Sequence, residues 1–354
     1  MATQDKEREI TPNDPVMTPA MFGRAANFMM KIGEPLLVIG SPGQGKSTII
    51  EDQCKELGYD ILITHPVVEE PIDYKGFPFT WKDDDGKTHA AFVPYGHMNK
   101  LVEAERPIVH FADDAGQAPK AVQAAYMQWI LGRQINDVPI SKHVRFVAAS
   151  NRKQDKAGVQ AFLEPLKDRF TSVIELITSM EDWVAWAIPA KVPFEVISYV
   201  RYVPQILEEW EPTSDFSRTA TPRGICQVGK MLEAGCPKDL QLKLFAGAIG
   251  SARAQEFIGF LRIFTEIPDP DDILLNPTKA DIPCDPGHLY ALCGALAARA
   301  TPNNIERLIT YADRFDREEF NVLMVRDAIA RDRKKLCKTP AFTQWVSNHQ
   351  DVLV

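Results

Sequence analysis

The chain has 354 residues, 45% of them hydrophobic and 25% charged, a composition typical of a globular protein of about two domains. Its 40 basic and 48 acidic residues give a net charge of −8, so nucleic acid is not an expected partner. Six scattered cysteines without a CxxC pair argue against disulfides and structural zinc and predict a cytoplasmic protein. The polar first residues do not predict a signal peptide, and no apolar run predicts a membrane span.

The first half of the chain predicts alternating helices and strands. After a disordered lead-in over residues 1–15, an amphipathic helix is expected over residues 16–32, because apolar side chains recur there at helical spacing: Met21, Ala25, Phe28, Met29 and Ile32. Apolar runs then predict five strands, at residues 35–39, 60–64, 106–112, 144–149 and 170–177. This α/β alternation predicts an αβα core with a parallel five-stranded sheet over residues 16–178.

Two segments depart from this alternation. Residues 73–97 predict a hairpin insert with an acidic turn, and Phe77, Phe79 and Trp81 fall on one face of its first arm. These aromatic side chains are expected either to meet a client protein or to pack onto the sheet. From residue 179 to residue 354 the pattern is helical, which predicts a helical lid and a C-terminal helical extension.

A glycine-rich loop directly follows the first predicted strand. Residues 40–47 read Gly-Ser-Pro-Gly-Gln-Gly-Lys-Ser, a full GxxxxGK[ST] match, and a helix-compatible stretch comes next. In such a loop, backbone N–H groups close around phosphate oxygens, the lysine reaches the β- and γ-phosphates, and the serine hydroxyl binds Mg²⁺. The predicted ATP contacts are Gly40, Ser41, Pro42, Gly43, Gln44, Gly45, Lys46, Ser47 and Thr48.

Polar residues end two later strands of the same predicted sheet. Asp113 and Asp114 follow the strand at residues 106–112, and Asn151 follows the strand at residues 144–149. Because ligands bind at the carboxyl ends of strands in such sheets, these side chains are expected beside the phosphate loop. Asp113 is predicted to hold Mg²⁺ together with Ser47, Asp114 to orient or deprotonate the attacking water, and Asn151 to align that water.

Two arginines are candidate contacts for the γ-phosphate. Arg169 precedes the fifth strand and could act as an arginine finger on a neighbouring subunit's nucleotide, or pair with Asp168 or Glu164 as a surface ion pair. Arg223 follows a capping threonine and a proline, which places a cation in the first turn of a helix. A cation there opposes the helix dipole, so an anion to bind is expected. His110, inside a strand, is predicted to be a core histidine.

The ordered set of motifs resembles the AAA+ ATPases, and within them the MoxR group. The segments that carry the resemblance are residues 40–47, 73–77, 111–114, 122–125, 148–151, 168–170 and 221–223. The resemblance covers about residues 17–235. It implies a homo-oligomeric ring, a hexamer, that hydrolyses ATP with Mg²⁺ and remodels or activates a client protein in a chaperone-like way. It also implies a client that carries a von Willebrand factor A domain.

One position departs from the pattern of that group. The second acid after the strand is usually glutamate, and here it is Asp114, which is shorter by one methylene. Proton abstraction depends closely on geometry, so a slowly hydrolysing, nucleotide-gated scaffold stays open as an alternative. A motor that acts on nucleic acid is a second alternative, which the acidic balance of the chain disfavours.

Overall fold

The structure is a computed structural model that describes residues 14–152, 155, 162–213 and 217–349. Two compact units make up the chain, the first ending at Thr178 and the second beginning at Ser179. Of the lead-in predicted over residues 1–15, the first thirteen residues lie outside the described part. Within the described residues, no helix combines the length and the apolar character needed to cross a bilayer.

The first unit contains all the strands that the structure describes. They are β1 (Val16–Met17), β2 (Leu36–Ile39), β3 (Asp60–Thr64), β4 (Phe77–Lys82), β5 (Thr88–Val93), β6 (Ile108–Ala112), β7 (Gln134–Ile135), β8 (Val138–Pro139), β9 (Val144–Ser150) and β10 (Ser172–Leu176). Its helices are α1 (Pro19–Ile32), α2 (Lys46–Leu57), α3 (Ile72–Lys75), α4 (His97–Val102), α5 (Lys120–Met127) and α6 (Glu164–Lys167).

The central sheet is parallel throughout, with the strand order β1-β10-β2-β9-β6-β3 over the described residues. The five predicted strands are β2, β3, β6, β9 and β10, and each lies within two residues of its predicted bounds. A sixth strand, β1, joins the edge of the sheet beside β10. Its two residues were predicted as helix, but Pro19 begins the helix because proline is tolerated at a first helical position.

Side chains of the strands alternate between two apolar layers, which makes the first unit a three-layer αβα sandwich. On one face, Leu36 and Val38 pack with helices α1 and α2. On the other face, Leu37 and Phe146 pack with α3, α4, α5 and α6. Because both faces are covered, the strands are mostly apolar along their length, as is typical of parallel sheets.

Helix α1 buries a different face from the one that its sequence predicted. The residues that face the core are Phe22, Ala26, Met29 and Met30. Of the predicted stripe, only Met29 is buried; Met21, Phe28 and Ile32 are exposed, and Ala25 is half-buried. The helix is apolar on two faces, and periodicity alone does not say which face the sheet covers.

The segment between α3 and α4 is a hairpin of β4 and β5. Its strands pair antiparallel, with Phe77 opposite Val93, Phe79 opposite Ala91 and Trp81 opposite His89. Directly paired residues point to the same side, so the three aromatic residues share one face. They are exposed, which rules out the alternative that they pack onto the sheet.

The second unit is helical over its described residues. Its helices are α7 (Met180–Ala187), α8 (Phe194–Tyr202), α9 (Pro222–Glu233), α10 (Lys238–Ile249), α11 (Ser251–Ile263), α12 (Pro270–Leu275), α13 (Pro286–Ala298), α14 (Ile305–Ala312), α15 (Glu318–Arg331), α16 (Arg333–Leu336) and α17 (Pro340–Asn348). Two apolar cores form this unit, one from α7–α11 and one from α12–α17. Helix α13 is buried and packs on both α8 and α15. A buried ion pair between Arg201 and Asp327 joins the same two helices.

Candidate nucleotide-binding site

The glycine-rich loop connects β2 to α2 at the carboxyl edge of the sheet. Strand β2 ends at Ile39 and α2 begins at Lys46. Gly43 and Gly45 have φ angles of 80° and 84°, in the left-handed region that favours glycine. A β-carbon built on Gly45 has no heavy atom within 4 Å, so open space lies over the start of the helix. A helix start with unpaired N–H donors facing open space suits a phosphate group.

Lys46 is almost fully buried, at 7% exposed, and spans the loop. Its ammonium group donates to the carbonyl oxygens of Gly40 and Ser41, both at 2.9 Å, and to Asn151 Oδ1 at 2.9 Å. The loop carbonyls therefore hold a positive charge where the phosphates of a nucleotide are expected. Gly40, which follows β2, and Asn151, which follows β9, therefore both contact the Lys46 ammonium group.

Ser47 and Asp113 provide the oxygen atoms that fit Mg²⁺. The Ser47 hydroxyl donates to Asp113 Oδ2 at 2.7 Å, and the Asp113 amide is held by the Thr64 carbonyl oxygen at 2.9 Å. Hydroxyl and carboxylate oxygens are ligands that Mg²⁺ accepts alongside phosphate oxygens and water. The oxygen atoms of Ser47 and Asp113 therefore suit Mg²⁺, the ion that the sequence predicted at this place.

Asp114 stands next to this pair in an uncommon backbone conformation. Its φ of 56° lies in the left-handed region, where aspartate is one of the better-tolerated residues. Its Oδ1 accepts a hydrogen bond of 3.1 Å from Asn151 Nδ2. Asn151 thus joins Lys46 through its oxygen and Asp114 through its nitrogen, and these two bonds fix the orientation of its amide.

The turn that carries Asp114 depends on a glycine that the sequence analysis did not single out. A β-carbon on Gly116 would lie only 2.0 Å from Ser150 Oγ and 3.1 Å from Ser150 Cβ, so a larger residue would displace the Ser150 side chain. Gly40 N–H also donates to the Ser150 carbonyl oxygen at 3.1 Å. Ser150 therefore sits between the phosphate loop and the acidic turn and sets their spacing.

The remaining predicted contacts lie around the same loop. Ser41 is buried, Pro42 and Gln44 are half-buried, and Thr48 is exposed in the first turn of α2. Gln44 Nε2 donates to Thr178 Oγ1 at 3.1 Å, which links the loop to the segment after β10. Among the described residues, the structure brings the whole predicted loop together with Asp113, Asp114 and Asn151.

Arg152 is a site residue that the sequence analysis missed. Its guanidinium donates to Ser41 Oγ in the loop and pairs with the buried Asp155 at 2.9 Å. It also lies 3.9 Å from Glu175 Oε1 of β10. The signal that could have found it is an arginine directly after Asn151 with an acid three residues later. The Arg152–Asp155 pair thus contacts the phosphate loop at Ser41, on the side of the loop where β10 lies.

Arg169 follows α6 and is half-buried. Its Nη1 donates to the Pro165 carbonyl oxygen, and its Nε is buried without a hydrogen-bond partner. No ion pair links Arg169 to Asp168, Glu164 or any other acid within the described ranges. The surface ion pair that the sequence left open is therefore absent from the described part of the chain.

Arg223 belongs to the second unit and is exposed in the first turn of α9. Thr221 caps this helix, because its hydroxyl accepts from the Gly224 amide at 2.9 Å. A β-carbon on Gly224 would lie 2.6 Å from the Ala248 carbonyl oxygen, so glycine allows α9 to approach α10 closely. The backbone beneath Arg223 is therefore fixed by a cap and a close helix contact.

His110 lies in the core beneath the acidic turn, as the sequence predicted. Its Nε2 is 3.1 Å from Thr64 Oγ1 and its Nδ1 is 3.3 Å from the Tyr126 hydroxyl. Burial lowers the pKa of His110 to about 3, so the ring is neutral near pH 7. It supports β6 and β3 rather than binding a metal.

No protein-family model matches the chain. No curated protein matches it either. Among solved structures, the chain is similar to the RuvB Holliday junction branch migration motor of Thermotoga maritima, with 20% identity, a TM-score of 0.38, and coverage of 78% of this chain and 79% of that one. It is also similar to the replication initiator DnaA bound to AMPPCP and single-stranded DNA, with 14% identity, a TM-score of 0.37, and coverage of 94% and 92%. Identities and TM-scores at this level leave activity and partners to be argued from the residues of the chain itself.

The fold conclusion rests on the sheet and on the loop. The loop leaves the carboxyl end of β2, and β9 separates that strand from β6, the strand that ends in the acidic pair. Lys46, Ser47, Asp113, Asp114 and Asn151 then converge at one sheet edge. The chain has a P-loop NTPase fold, with an αβα core followed by a helical region.

Proposed function

We propose that the chain is a Mg²⁺-dependent ATP hydrolase of the AAA+ type. The observation that carries the proposal is the convergence of Lys46, Asn151 and Asp114 through two hydrogen bonds, beside the Ser47–Asp113 pair. This arrangement holds a cation for the phosphates and a carboxylate for the attacking water at one edge of the sheet. Bound Mg²⁺ would supply charge neutralisation on the phosphate oxygens.

Each residue contributes a separate part of the reaction. Lys46 binds and orients the β- and γ-phosphates, since its ammonium is held over the loop. Asp114 accepts a proton from the attacking water, and Asn151 fixes the position of that carboxylate. Arg169, from a neighbouring subunit, and Arg223, from the helical unit, are the cations proposed to meet the γ-phosphate.

The proposed use of this energy is work on a protein client. The chain is proposed to form a homo-oligomeric ring of the MoxR group, a hexamer, because Arg169 is then supplied to a neighbouring nucleotide. The hairpin face of Phe77, Phe79 and Trp81 supports a protein client, since these side chains are about half exposed. A client that carries a von Willebrand factor A domain is the finer proposal.

ATP turnover with and without a Mg²⁺ chelator tests the proposed activity. We expect turnover to need Mg²⁺, and Asp113→Asn to lower turnover more than nucleotide affinity, because the carboxylate is proposed to act on the metal. Asp60→Asn is the matched control, since Asp60 is a partly exposed acid paired with Arg106 at the other end of the sheet. Turnover that is insensitive to chelation, or equal in Asp113→Asn and wild type, would contradict the proposal.

A nucleotide-gated scaffold with little turnover is a second candidate, because Asp114 is shorter than glutamate and is tied to Asn151. Asp114→Glu separates the two functions. If the shorter acid limits proton transfer, the longer acid should raise turnover by an order of magnitude or more. An unchanged or lower rate in Asp114→Glu favours an enzyme that already works with aspartate.

A further inference from the structure

Ser41 links the phosphate loop to a side chain outside it. Ser41 is buried, and its hydroxyl accepts a hydrogen bond from Arg152 Nη2. The backbone carbonyl oxygen of the same residue accepts from the Lys46 ammonium group at 2.9 Å. Because the hydroxyl and the carbonyl belong to one residue, a bond that holds the hydroxyl also limits where the carbonyl can point. Arg152 is therefore connected to Lys46 through Ser41.

Asn151 and Arg152 hold the loop at two points. Asn151 Oδ1 accepts from the Lys46 ammonium group at 2.9 Å, and the next residue, Arg152, reaches Ser41. Together with the peptide bond between Asn151 and Arg152, these contacts close a ring of four residues. Each bond of a closed ring restrains the others, so the position of Lys46 depends on the whole ring.

The charge of Arg152 is already paired. Its Nε lies 3.2 Å from both carboxylate oxygens of Asp155, a residue that is only 3% exposed, and its Nη2 lies 2.9 Å from Asp155 Oδ1. The Arg152 amide also donates to Asp155 Oδ2 at 3.2 Å, and Glu175 Oε1 lies 3.9 Å from Arg152 Nη1.

This pairing favours one role for Arg152 over another. A guanidinium held between two carboxylates has little net charge to offer a phosphate group. Its planar fork of donors can nevertheless contact Ser41 and Asp155 at the same time. The geometry therefore suits a side chain that supports the loop better than one that contacts the nucleotide.

We infer that Arg152 is a positioning residue for nucleotide binding. It acts through Ser41 on the loop carbonyls that hold Lys46, and Asp155 fixes Arg152 in turn. The inference rests on the proposed function, because it concerns the same nucleotide site. Since the backbone of such a loop closes around the α- and β-phosphates, ADP should depend on Arg152 as well as ATP.

Titration with fluorescently labelled ADP and ATP, in the presence of Mg²⁺, tests the inference. Arg152→Ala should weaken the binding of both nucleotides by roughly ten- to a hundredfold, as expected when a hydrogen bond from a charged group is lost. Arg145→Ala is the matched control, since Arg145 lies at the other end of β9 and also donates to backbone carbonyls, those of Met30 and Lys142.

Three results of this titration would overturn the inference. The first is wild-type affinity for both nucleotides in Arg152→Ala. The second is a loss confined to ATP, which would show a contact with the γ-phosphate instead. The third is an equal loss in Arg145→Ala, which would show that the affinity follows general destabilisation of the unit.

A double-mutant cycle tests whether Arg152 acts through Ser41. Ser41→Ala removes the hydroxyl and keeps the loop backbone, so it should weaken binding without abolishing it. The double variant of Ser41→Ala and Arg152→Ala should then bind about as weakly as Arg152→Ala alone. Losses that multiply would show that the two residues act independently and would overturn the inference.

Asp155→Asn distinguishes the two roles of Arg152 by the sign of its effect. If Arg152 positions the loop, affinity should fall, because the guanidinium is held less firmly. If Arg152 is instead a cation for the phosphates, affinity should rise, because its charge is released from Asp155. Arg152→Lys should restore only part of the affinity, since a single ammonium group lacks the fork. Full affinity in Arg152→Lys, or tighter binding in Asp155→Asn, would overturn the inference.

Binding and turnover together separate a failure of this inference from a failure of the proposed function. Wild type that turns over ATP, with binding unchanged in Arg152→Ala, would end the inference and leave the ATP hydrolase standing. Wild type that binds nucleotide through Arg152 but does not hydrolyse it would end the proposed enzyme and keep the positioning role. Wild type that binds neither ADP nor ATP would end both.

Discussion

The carboxyl edge of the sheet and the β4–β5 hairpin belong to the same unit but differ in how their side chains are partnered. Those at the sheet edge find polar partners within the chain, whereas the aromatic side chains of the hairpin stay partly exposed. At the sheet edge, Lys46 and Asn151 are buried and each meets polar partners from other strand ends. On the hairpin, Phe79 stacks on Trp81 and Trp81 stacks on His89, and both Phe79 and Trp81 remain about half exposed. A region whose groups satisfy one another is organised for a ligand in advance, whereas a region with unsatisfied apolar area requires a partner.

The hairpin is nevertheless held firmly at its base. Trp129 Nε1 donates to the Tyr74 carbonyl oxygen at 2.8 Å, just before β4 begins. A β-carbon on Gly76 would lie 2.6 Å from the Val93 carbonyl oxygen, so the two arms meet closely there. At the tip, a hydrogen bond with His89 lowers the pKa of Asp83. The exposed face is therefore presented by an ordered element, which supports a role in contact.

Removal of the loop lysine should have the largest effect at the sheet edge. Lys46→Ala should abolish ATP binding or leave it too weak to saturate, because a charge on the β- and γ-phosphates is lost. Titration with a fluorescent ATP analogue measures this. Lys55→Ala is the matched control, since Lys55 is an exposed lysine of the same helix paired only with Asp52. Wild-type affinity in Lys46→Ala would end the assignment of the phosphate site.

Loss of Arg169 should have the next largest effect, and it should spare binding. Arg169→Ala is expected to lower turnover by roughly 10³, the range seen for arginine fingers, with nucleotide affinity unchanged. Lys167→Ala, an exposed neighbour, is the control. Mixing Arg169→Ala with Lys46→Ala subunits should restore some turnover, because some interfaces then combine an intact loop with an intact finger. If confirmed mixed assemblies show no rescue at any ratio, the arginine does not act across subunits.

A hairpin variant should leave the sheet edge untouched. Phe79→Ala with Trp81→Ala should keep basal turnover near wild type and remove stimulation or binding by a client. Since both rings are about half exposed, stability should change by no more than about 1 kcal/mol, against several kcal/mol for buried aromatic residues. Phe92→Ala, on the opposite hairpin face, is the control. A large fall in both melting temperature and basal turnover would show that these side chains stabilise the fold and would contradict the client contact.

The smallest expected effect is on the pH dependence of the free energy of unfolding, and it comes from His110, which lies beneath the sheet edge. The folded pKa of His110 is about 3 against 6.5 in the unfolded chain, so the unfolded state binds more protons between these values. The contribution of neutral His110 to the free energy of unfolding is therefore fully present above pH 6.5. It is lost as the pH falls, by up to about 1.4 kcal/mol per pH unit. The free energy of unfolding, measured with urea at pH 7, 6 and 5, should fall less steeply with decreasing pH in His110→Gln than in wild type. Equal slopes would mean that His110 is not buried as neutral imidazole.

The sequence predicted the sheet edge well because each signal there is local. A strand, a glycine loop and a lysine are adjacent in the chain, and the carboxyl ends of parallel strands must share one edge. The tie between Asn151 and Asp114 follows from that geometry. Arg152 was missed because the acid three residues later marks only its local ion pair, whereas its contact with Ser41 spans 111 residues of sequence.

The face of α1 could not be predicted for a different reason. A helix with apolar residues on two sides has two possible orientations by periodicity, and packing chooses between them. Phe22 and Met30 fill the layer over β2, which leaves Phe28 and Ile32 outside. The edge strand β1 was missed because two residues carry too little pattern to be recognised.

The central claim is that the sheet edge acts as one unit, and a double-mutant cycle on ATP turnover tests it most directly. Asn151→Ala, Asp114→Ala and the double variant are compared with wild type under saturating Mg²⁺ and ATP. Because Asn151 is proposed to act by fixing Asp114, the double variant should lose about as much turnover as Asp114→Ala alone. Losses that multiply, so that the double variant is slower by the product of the two single effects, would contradict the account.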